Sequence, residues 1–191
     1  AYKLGLVTHC IDPGKFDGIA SALSDAQPVD PLLDGLHADP GHGEMEPVAD
    51  LIAHCFAGGS VEEIIERLKQ AAAAPARSES ERTFATGVVS DLSKRSPTSL
   101  KITLRHLRSA ANLGLREVLA ADQRLACRCL EGQDFAEGVR AALVDKDNLP
   151  VWQPADLGAV SEAMVDEYFK PLPPGEDLTL PSRAQMQEAR M

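Results

Sequence analysis

From Val48 nearly to its end the chain is a run of amphipathic segments, each opened by a cap and closed by glycine or proline. That pattern confines it to packed helices. Ser60-Val61-Glu62-Glu63 has the spacing of a capping box, in which hydroxyl and carboxylate satisfy free amides of the first turn. Val61, Ile64, Ile65, Leu68 and Ala72 then share one face, and Pro75 ends the segment. Ser78-Glu79-Ser80-Glu81 repeats the signal for a helix through Phe84 and Val88. Ser96-Pro97 is a cap followed by proline at the first helical position. Leu100, Leu104, Leu107 and Ala111 line one side of that helix, with Lys101, Arg105 and Arg108 on another. After Gly114, a further face runs through Leu115, Val118, Leu119, Leu125, Ala126 and Leu130 to Gly132. Asp134-Phe135-Ala136-Glu137 is expected to cap a short helix reaching about Leu143. Aromatic residues make up only 4%, so the core must be built from Leu, Ile, Val and Ala.

The first residues read differently. Leu4-Gly5-Leu6-Val7-Thr8-His9-Cys10-Ile11 has the composition of one short strand, followed by turn chemistry at Asp12-Pro13-Gly14. A lone strand cannot satisfy its own backbone groups, so its partners are expected elsewhere. With an opening Ala1-Tyr2-Lys3 that lacks methionine, this suggests a fragment or a processed chain. A short helix is expected from Pro13 to about Ala26, and residues 27–47, rich in Pro, Gly and acidic groups, read as a connector. The resulting partition is a strand within 1–12, a helix and connector over 13–47, a helical domain over 48–170, and a weakly ordered tail over 171–191. No fixed-period repeat is present.

The net charge of −10 opposes binding to phosphodiester backbones, and no basic run marks a membrane-surface patch. No apolar run is long enough to span a bilayer. Cys10, Cys55, Cys127 and Cys129 fit neither a disulfide framework nor a four-ligand zinc site, and read as reduced thiols in a reducing compartment.

Residue types that could carry chemistry are scattered. Asp34, His37, Asp39, His42 and Glu44 supply metal-ligand types on one loop, but nothing in the spacing imposes a geometry, and a solvated acidic loop is the simpler reading. His9-Cys10 and His54-Cys55 pair imidazole with thiol, yet adjacent residues point apart. His106, between basic neighbours, reads as a surface residue. Gly58-Gly59-Ser60 could offer amides to a phosphate, although a tight turn before a helix explains it better. Lys101, Arg105 and Arg108 could hold an anionic ligand such as a CoA phosphate, or form a solvated helix face. Residue chemistry alone yields no catalytic residue, no metal site and no cofactor.

Three stretches resemble one family. Tyr2-Lys3-Leu4-Gly5-Leu6-Val7-Thr8-His9 is similar to the end of a crotonase core, where such a segment leads into the last core strand. Leu51-Ile52-Ala53-His54-Cys55-Phe56 with Ser60-Val61-Glu62-Glu63-Ile64-Ile65, and Ser96-Pro97-Thr98-Ser99-Leu100-Lys101-Ile102-Thr103-Leu104, resemble the 3-hydroxyisobutyryl-CoA hydrolase branch of that superfamily. Gly132-Gln133-Asp134-Phe135-Ala136-Glu137-Gly138, running on to Asp145-Lys146-Asp147 and Pro150-Val151-Trp152-Gln153-Pro154, is the most specific stretch. The Glu-Gly pair is shared by the enoyl-CoA hydratase/isomerase superfamily, and the continuation singles out the hydrolase branch.

The resemblance implies a mainly α chain: the C-terminal helical part of a crotonase fold, with one core strand left at its N-terminus. It implies a parent enzyme that hydrolyses the thioester of 3-hydroxyisobutyryl-CoA in valine breakdown, without a cofactor. The oxyanion segment and catalytic carboxylates of the family lie upstream, so no catalytic residue transfers to this chain, which is expected to be inactive alone. In related hydratases a Phe and a Lys after the Glu-Gly pair approach the CoA nucleotide. The corresponding positions here are Ala142 and Asp145, with Lys146 displaced by one and left as a weak substrate-binding candidate. The implied partners are the acyl-CoA, the missing core and a further copy in a homo-oligomer, with no nucleic acid and no membrane. The implied location is the bacterial cytoplasm, or the mitochondrial matrix of a eukaryote. Two alternatives remain: a fragment of an enoyl-CoA hydratase or isomerase, and a non-catalytic helical binding or oligomerisation module.

Overall fold

The structure is a computed structural model that describes residues 1–181 and 183–188. The chain is mainly α, as expected, with no strand among the described residues. It divides into two compact units, Ala1–Asp50 and a second that begins at Leu51. No described helix is long and apolar enough to cross a membrane.

In the first unit, the strand expected over residues 4–11 does not form. Tyr2–Leu4 is a 3-10 turn closed by Gly5 at φ 68°, where a residue without Cβ meets no penalty, and the rest is irregular. An extended segment with no neighbouring edge has nothing to pair its amides and carbonyls with. Instead, Ala38 N donates to Cys10 O at 2.9 Å and Cys10 N donates to His37 Nδ1 at 3.0 Å. Asp12 caps the next turn by accepting from Gly14 N at 2.7 Å, with Pro13 at its first position. Helix α1 follows over Phe16–Ser24.

Residues 27–47, expected to be a connector, contain a second helix, α2, over Val29–Leu36. Pro31 does not prevent it, because a first-turn residue has no intrahelical acceptor for the N–H that proline lacks. Val29, Leu32, Leu33 and Leu36 supply the i, i+3, i+4, i+7 stripe, and α2 packs on α1.

The second unit has two hydrophobic clusters. Helices α3 (Ala49–Phe56), α4 (Val61–Ala73) and α5 (Glu79–Leu92) enclose Leu51, Cys55, Ile64, Leu68, Ala71 and Ala85. Leu68 is fully buried, which contributes about 1.5–3 kcal/mol. Ser60 Oγ accepts from Glu63 N, but the reciprocal half of that expected box does not form because the Glu63 carboxylate accepts from Gly59 N instead. Ser78 with Glu81 makes the full reciprocal box. Gly58 is needed before α4, since a Cβ there would stand 3.1 Å from Ile64 N and Cγ1.

The other cluster joins Ile102 of α6 (Pro97–Ala110), Leu125 of α7 (Leu115–Glu131), Val160, and Val165 of α9 (Glu162–Phe169). Here the face expected on α6 is rotated. Leu107 is 65% exposed, while Thr98 and Ile102 are buried and Leu104 reaches the first cluster. Helix α6 serves two cores at once, so a single stripe misplaces its inner side. On α7 only Leu125 of the expected face is buried, and Leu115, Leu119 and Leu130 are exposed.

Helix α8 spans Gln133–Val139 and runs into a π-helical turn, Arg140–Val144. Its N-cap is Gly132, not Asp134, whose carboxylate is engaged elsewhere. The tail was expected over 171–191. Within it Leu172 is buried, Asp177 pairs with Arg124 of α7 at 3.0 Å, and a last helix, α10, covers Arg183–Glu188. Residues 182 and 189–191 of that expected tail lie outside the described residues.

Candidate functional site

The Glu-Gly pair and the Asp-Lys-Asp segment meet at one side chain. Arg140 donates from Nε and Nη2 to the two oxygens of Glu137, each at 2.8 Å. Its Nη1 donates to Asp145 Oδ2 at 2.6 Å and Asp147 Oδ2 at 2.8 Å, and Nη2 also reaches Leu149 O at 3.2 Å. A planar fork with five donors matches this demand, and an ammonium would not. Glu137 accepts in addition from Val151 N at 2.7 Å. The Arg140 hydrogen bonds first, and then that amide, lower the Glu137 carboxyl to about 2. Asp147 is lowered by Arg140 and by the amide of Leu149.

The following segment is laid down on the same frame. Asp134 accepts from Ser96 Oγ at 2.5 Å and from Gln153 N at 2.8 Å. Trp152 Nε1 donates to Lys94 O at 3.0 Å, and its ring covers Gly138, where a Cβ would stand 3.3 Å from Cη2. The family-like motif is thus one hydrogen-bonded unit. Glycine in it makes room for the indole.

Beside this unit lies a cleft of about 810 Å³, walled by Ile102, Phe135, Val139, Leu143 and Trp152. Lys94, Arg95, Ser99 and Asn148 give it a polar rim, and Thr98, Cys129 and Tyr168 line its base. Burial raises the thiol of Cys129 and the phenol of Tyr168. Ala142 lines the cleft. Lys146 stands at the apex of the Asp145–Asp147 turn, exposed, with φ +57°, a left-handed conformation held in place by Arg140 on both flanks.

On the basic stripe of α6 each cation has a partner within the chain, while Arg105 and Arg108 stay partly open to solvent. Lys101 Nζ donates to Val160 O at 2.9 Å and pairs with Glu62 at 2.8 Å. Burial pushes Glu62 up, but hydrogen bonds from Lys101 and its own backbone, with the Lys101 charge, bring it below the ordinary range. Arg105 pairs with Asp166 and lies 4.6 Å from the centre of the Phe169 ring. Arg108 donates to the carbonyls of Gly58 and Gly59. At Gly58-Gly59-Ser60, the amide of Gly59 donates to Glu63 at 2.5 Å and that of Glu63 to Ser60, which is a capped helix start.

His106 is not a surface residue as expected: its side chain is 15% exposed and pairs with Asp122 at 2.6 Å. His54 is exposed while Cys55 is buried, so the two do point apart. Burial raises the Cys55 thiol. His9 has the orienting partner that its sequence neighbours could not reveal. Its Nε2 bonds Asp34 at 2.8 Å and its Nδ1 bonds Thr8 Oγ1 at 2.8 Å, a row that ties residues 8–10 to α2. His42 bonds Glu46 rather than Glu44, and hydrogen bonds from His42 and Gly43 lower Glu46. No three His, Cys, Asp or Glu side chains converge as metal ligands among the described residues.

The chain is similar to known proteins in sequence and in fold. The family model described as enoyl-CoA hydratase/isomerase matches residues 1–169. The chain is 38% identical over 181 residues to the mitochondrial 3-hydroxyisobutyryl-CoA hydrolase of Rattus norvegicus, covering 90% of this chain and 45% of that protein. It is 39% identical to the same enzyme of Gallus gallus, covering 89% and 44%. Among solved structures, a carnitinyl-CoA dehydratase from Mycobacterium thermoresistibile superposes with a TM-score of 0.76 at 34% identity, covering 94% of this chain and 48% of that one. An enoyl-CoA hydratase from Rhodobacter sphaeroides gives a TM-score of 0.70 at 30% identity, covering 89% and 46%. The chain spans about half the length of the curated relatives it matches. Motif, fold and family match agree, and the chain belongs to the enoyl-CoA hydratase/isomerase family.

Proposed function

We propose that this chain is the helical portion of a CoA-thioester hydrolase that converts 3-hydroxyisobutyryl-CoA to 3-hydroxyisobutyrate and CoA, and that it is inactive by itself. The observation that carries this reading is 38% identity to a 3-hydroxyisobutyryl-CoA hydrolase along 90% of the chain. The Arg140 unit supports it, because it gives the branch-specific Asp145-Lys146-Asp147 and Trp152 segment a defined physical role.

In this reading a core outside residues 1–191 supplies the oxyanion donors and the carboxylates that activate water. Residues 48–170 are the helical domain proper. Lys146, exposed and held at its turn by the neighbouring aspartates, contacts a CoA phosphate. The compartment follows the host: cytoplasm in a bacterium, mitochondrial matrix in a eukaryote.

The test is thiol release from 3-hydroxyisobutyryl-CoA. No turnover is expected from the purified chain, and turnover is expected when it replaces the matched segment of the Rattus norvegicus hydrolase. Robust activity of the chain alone overturns its inactivity. A second reading, enoyl-CoA hydratase, draws on the Rhodobacter sphaeroides neighbour. Hydration of crotonyl-CoA by the chimera with no thioester cleavage would select it.

A further inference from the structure

We infer that His37 is a proton-operated latch, which fastens residues 8–10 to the end of α2 while its ring is neutral and releases them when the ring takes up a proton. The amide of Cys10 donates to His37 Nδ1 at 3.0 Å. A backbone amide can only donate, so Nδ1 must be bare and the ring proton must sit on Nε2. An added proton has only Nδ1 to go to, and there it sets one donor against another. The bond is part-buried, so the amide left without an acceptor drives the segment to move toward water. His37 also closes the C-terminal end of α2, where carbonyls without helical partners favour a cation. The same protonation that suits the helix end therefore undoes the latch.

The neighbouring imidazole responds in the opposite way. The ring centre of His9 lies 5.9 Å from that of His37. Its Nε2 bonds Asp34 Oδ1 and its Nδ1 bonds Thr8 Oγ1, each at 2.8 Å. A hydroxyl accepts as readily as it donates, and a carboxylate accepts more strongly from a charged donor. His9 therefore keeps both bonds in either protonation state. Acid leaves the segment anchored at His9, while at Cys10 the bond from Ala38 N to Cys10 O, at 2.9 Å, is what remains. The ionisable groups around His37 are Tyr2, whose ring centre is 4.9 Å away, and Lys3 of the opening turn, with His9 and the Cys10 thiol of the segment. Helix α2 adds Asp34, and α1, packed on α2, adds Asp17. Imidazole alone among these types ordinarily changes charge between about pH 5 and about pH 8, so the latch is closed at the upper end and opens as pH falls.

The test is heteronuclear NMR of the full chain from about pH 8 to about pH 5, with amide exchange expressed as protection relative to an unstructured chain at each pH. His37 is expected to carry its proton on Nε2 at the upper end, and its ring nitrogens to titrate at the same midpoint as the Cys10 amide. Protection of Cys10 N–H is expected to fall by about five- to tenfold over the range, the factor that one backbone hydrogen bond supplies. The Leu68 amide, in the second unit, keeps its protection. His37→Gln presents a carbonyl oxygen that does not titrate and is expected to abolish the step, while His9→Gln keeps it. Equal Cys10 protection at both ends, a proton on His37 Nδ1 at the upper end, or different midpoints for the ring and the amide overturns the inference. So does a step that survives His37→Gln, or one that vanishes in His9→Gln while Cys10 stays protected at the upper end. A parallel loss at Leu68 overturns it as well, since the chain is then loosening as a whole. No substrate takes part, so the outcome is independent of the hydrolase reading.

Discussion

Arg140 grips Glu137 through two hydrogen bonds of 2.8 Å, and Glu137 in turn holds the amide of Val151. The carboxylate is lowered to about 2, so its contribution to stability is fully present above its unfolded value near 4.5 and is lost as pH falls through 2. Trp152, the single tryptophan, lies on the segment that Glu137 fixes. Its fluorescence is expected to shift between about pH 4.5 and pH 2, in step with faster amide exchange at Val151. Glu137→Gln removes this transition and leaves the remainder of the acid response.

Arg140→Lys keeps the charge and loses the fork. It is expected to raise amide exchange across residues 145–153 nearly as much as Arg140→Gln does. Equal protection in Arg140→Lys and the parent would mean that charge, not geometry, holds the turn.

Gly138→Val pushes a branched side chain against Trp152 Cη2 and displaces the ring. A red-shifted emission and loss of the hydrogen bond to Lys94 O are expected. Trp152→Ala is expected to cost about 2–3 kcal/mol, below the range for a fully buried tryptophan because the indole is half-exposed.

Leu68→Ala opens a void in a fully buried site and is expected to cost about 2–5 kcal/mol in denaturant unfolding. Leu115→Ala, at an exposed position, is expected to stay within about 0.5 kcal/mol of the parent. Lys101→Met strands the Val160 carbonyl and the Glu62 carboxylate, at an expected cost of about 2 kcal/mol.

Thiol labelling separates the cysteines. Cys55 is fully buried and its thiol is raised by that burial, so it is expected to react only on unfolding. Cys10 and Cys127 are half-buried and should label first.

What was legible in the sequence was local. Ser60, Ser78 and Ser96 announce their helices because a cap acts over three residues. The α2 helix was hidden by Pro31, whose helix-breaking reputation does not apply in a first turn. The 4–11 segment has strand composition but no edge to pair with, and composition cannot supply one. Lys101 and Arg105 looked like free cations because their partners, Val160 and Asp166, lie 59 and 61 residues away. Arg140 is hidden in the sequence for a different reason. Its acceptors are close in sequence, but only a π-helical turn folds them back onto one guanidinium.

The two clusters that share α6 differ in when they can close. The α4–α5 hairpin and its cap need only a short stretch of chain, so this part can collapse early, even while synthesis continues. The other side of α6 must wait for Val160, Val165 and Asp166 to emerge. Until then Ile102 faces water, and the Lys101 ammonium has Glu62 but lacks the Val160 carbonyl. Ribosome-bound intermediates of this chain should therefore be vulnerable along one flank of α6, and a chaperone that shields that flank would act late, not early.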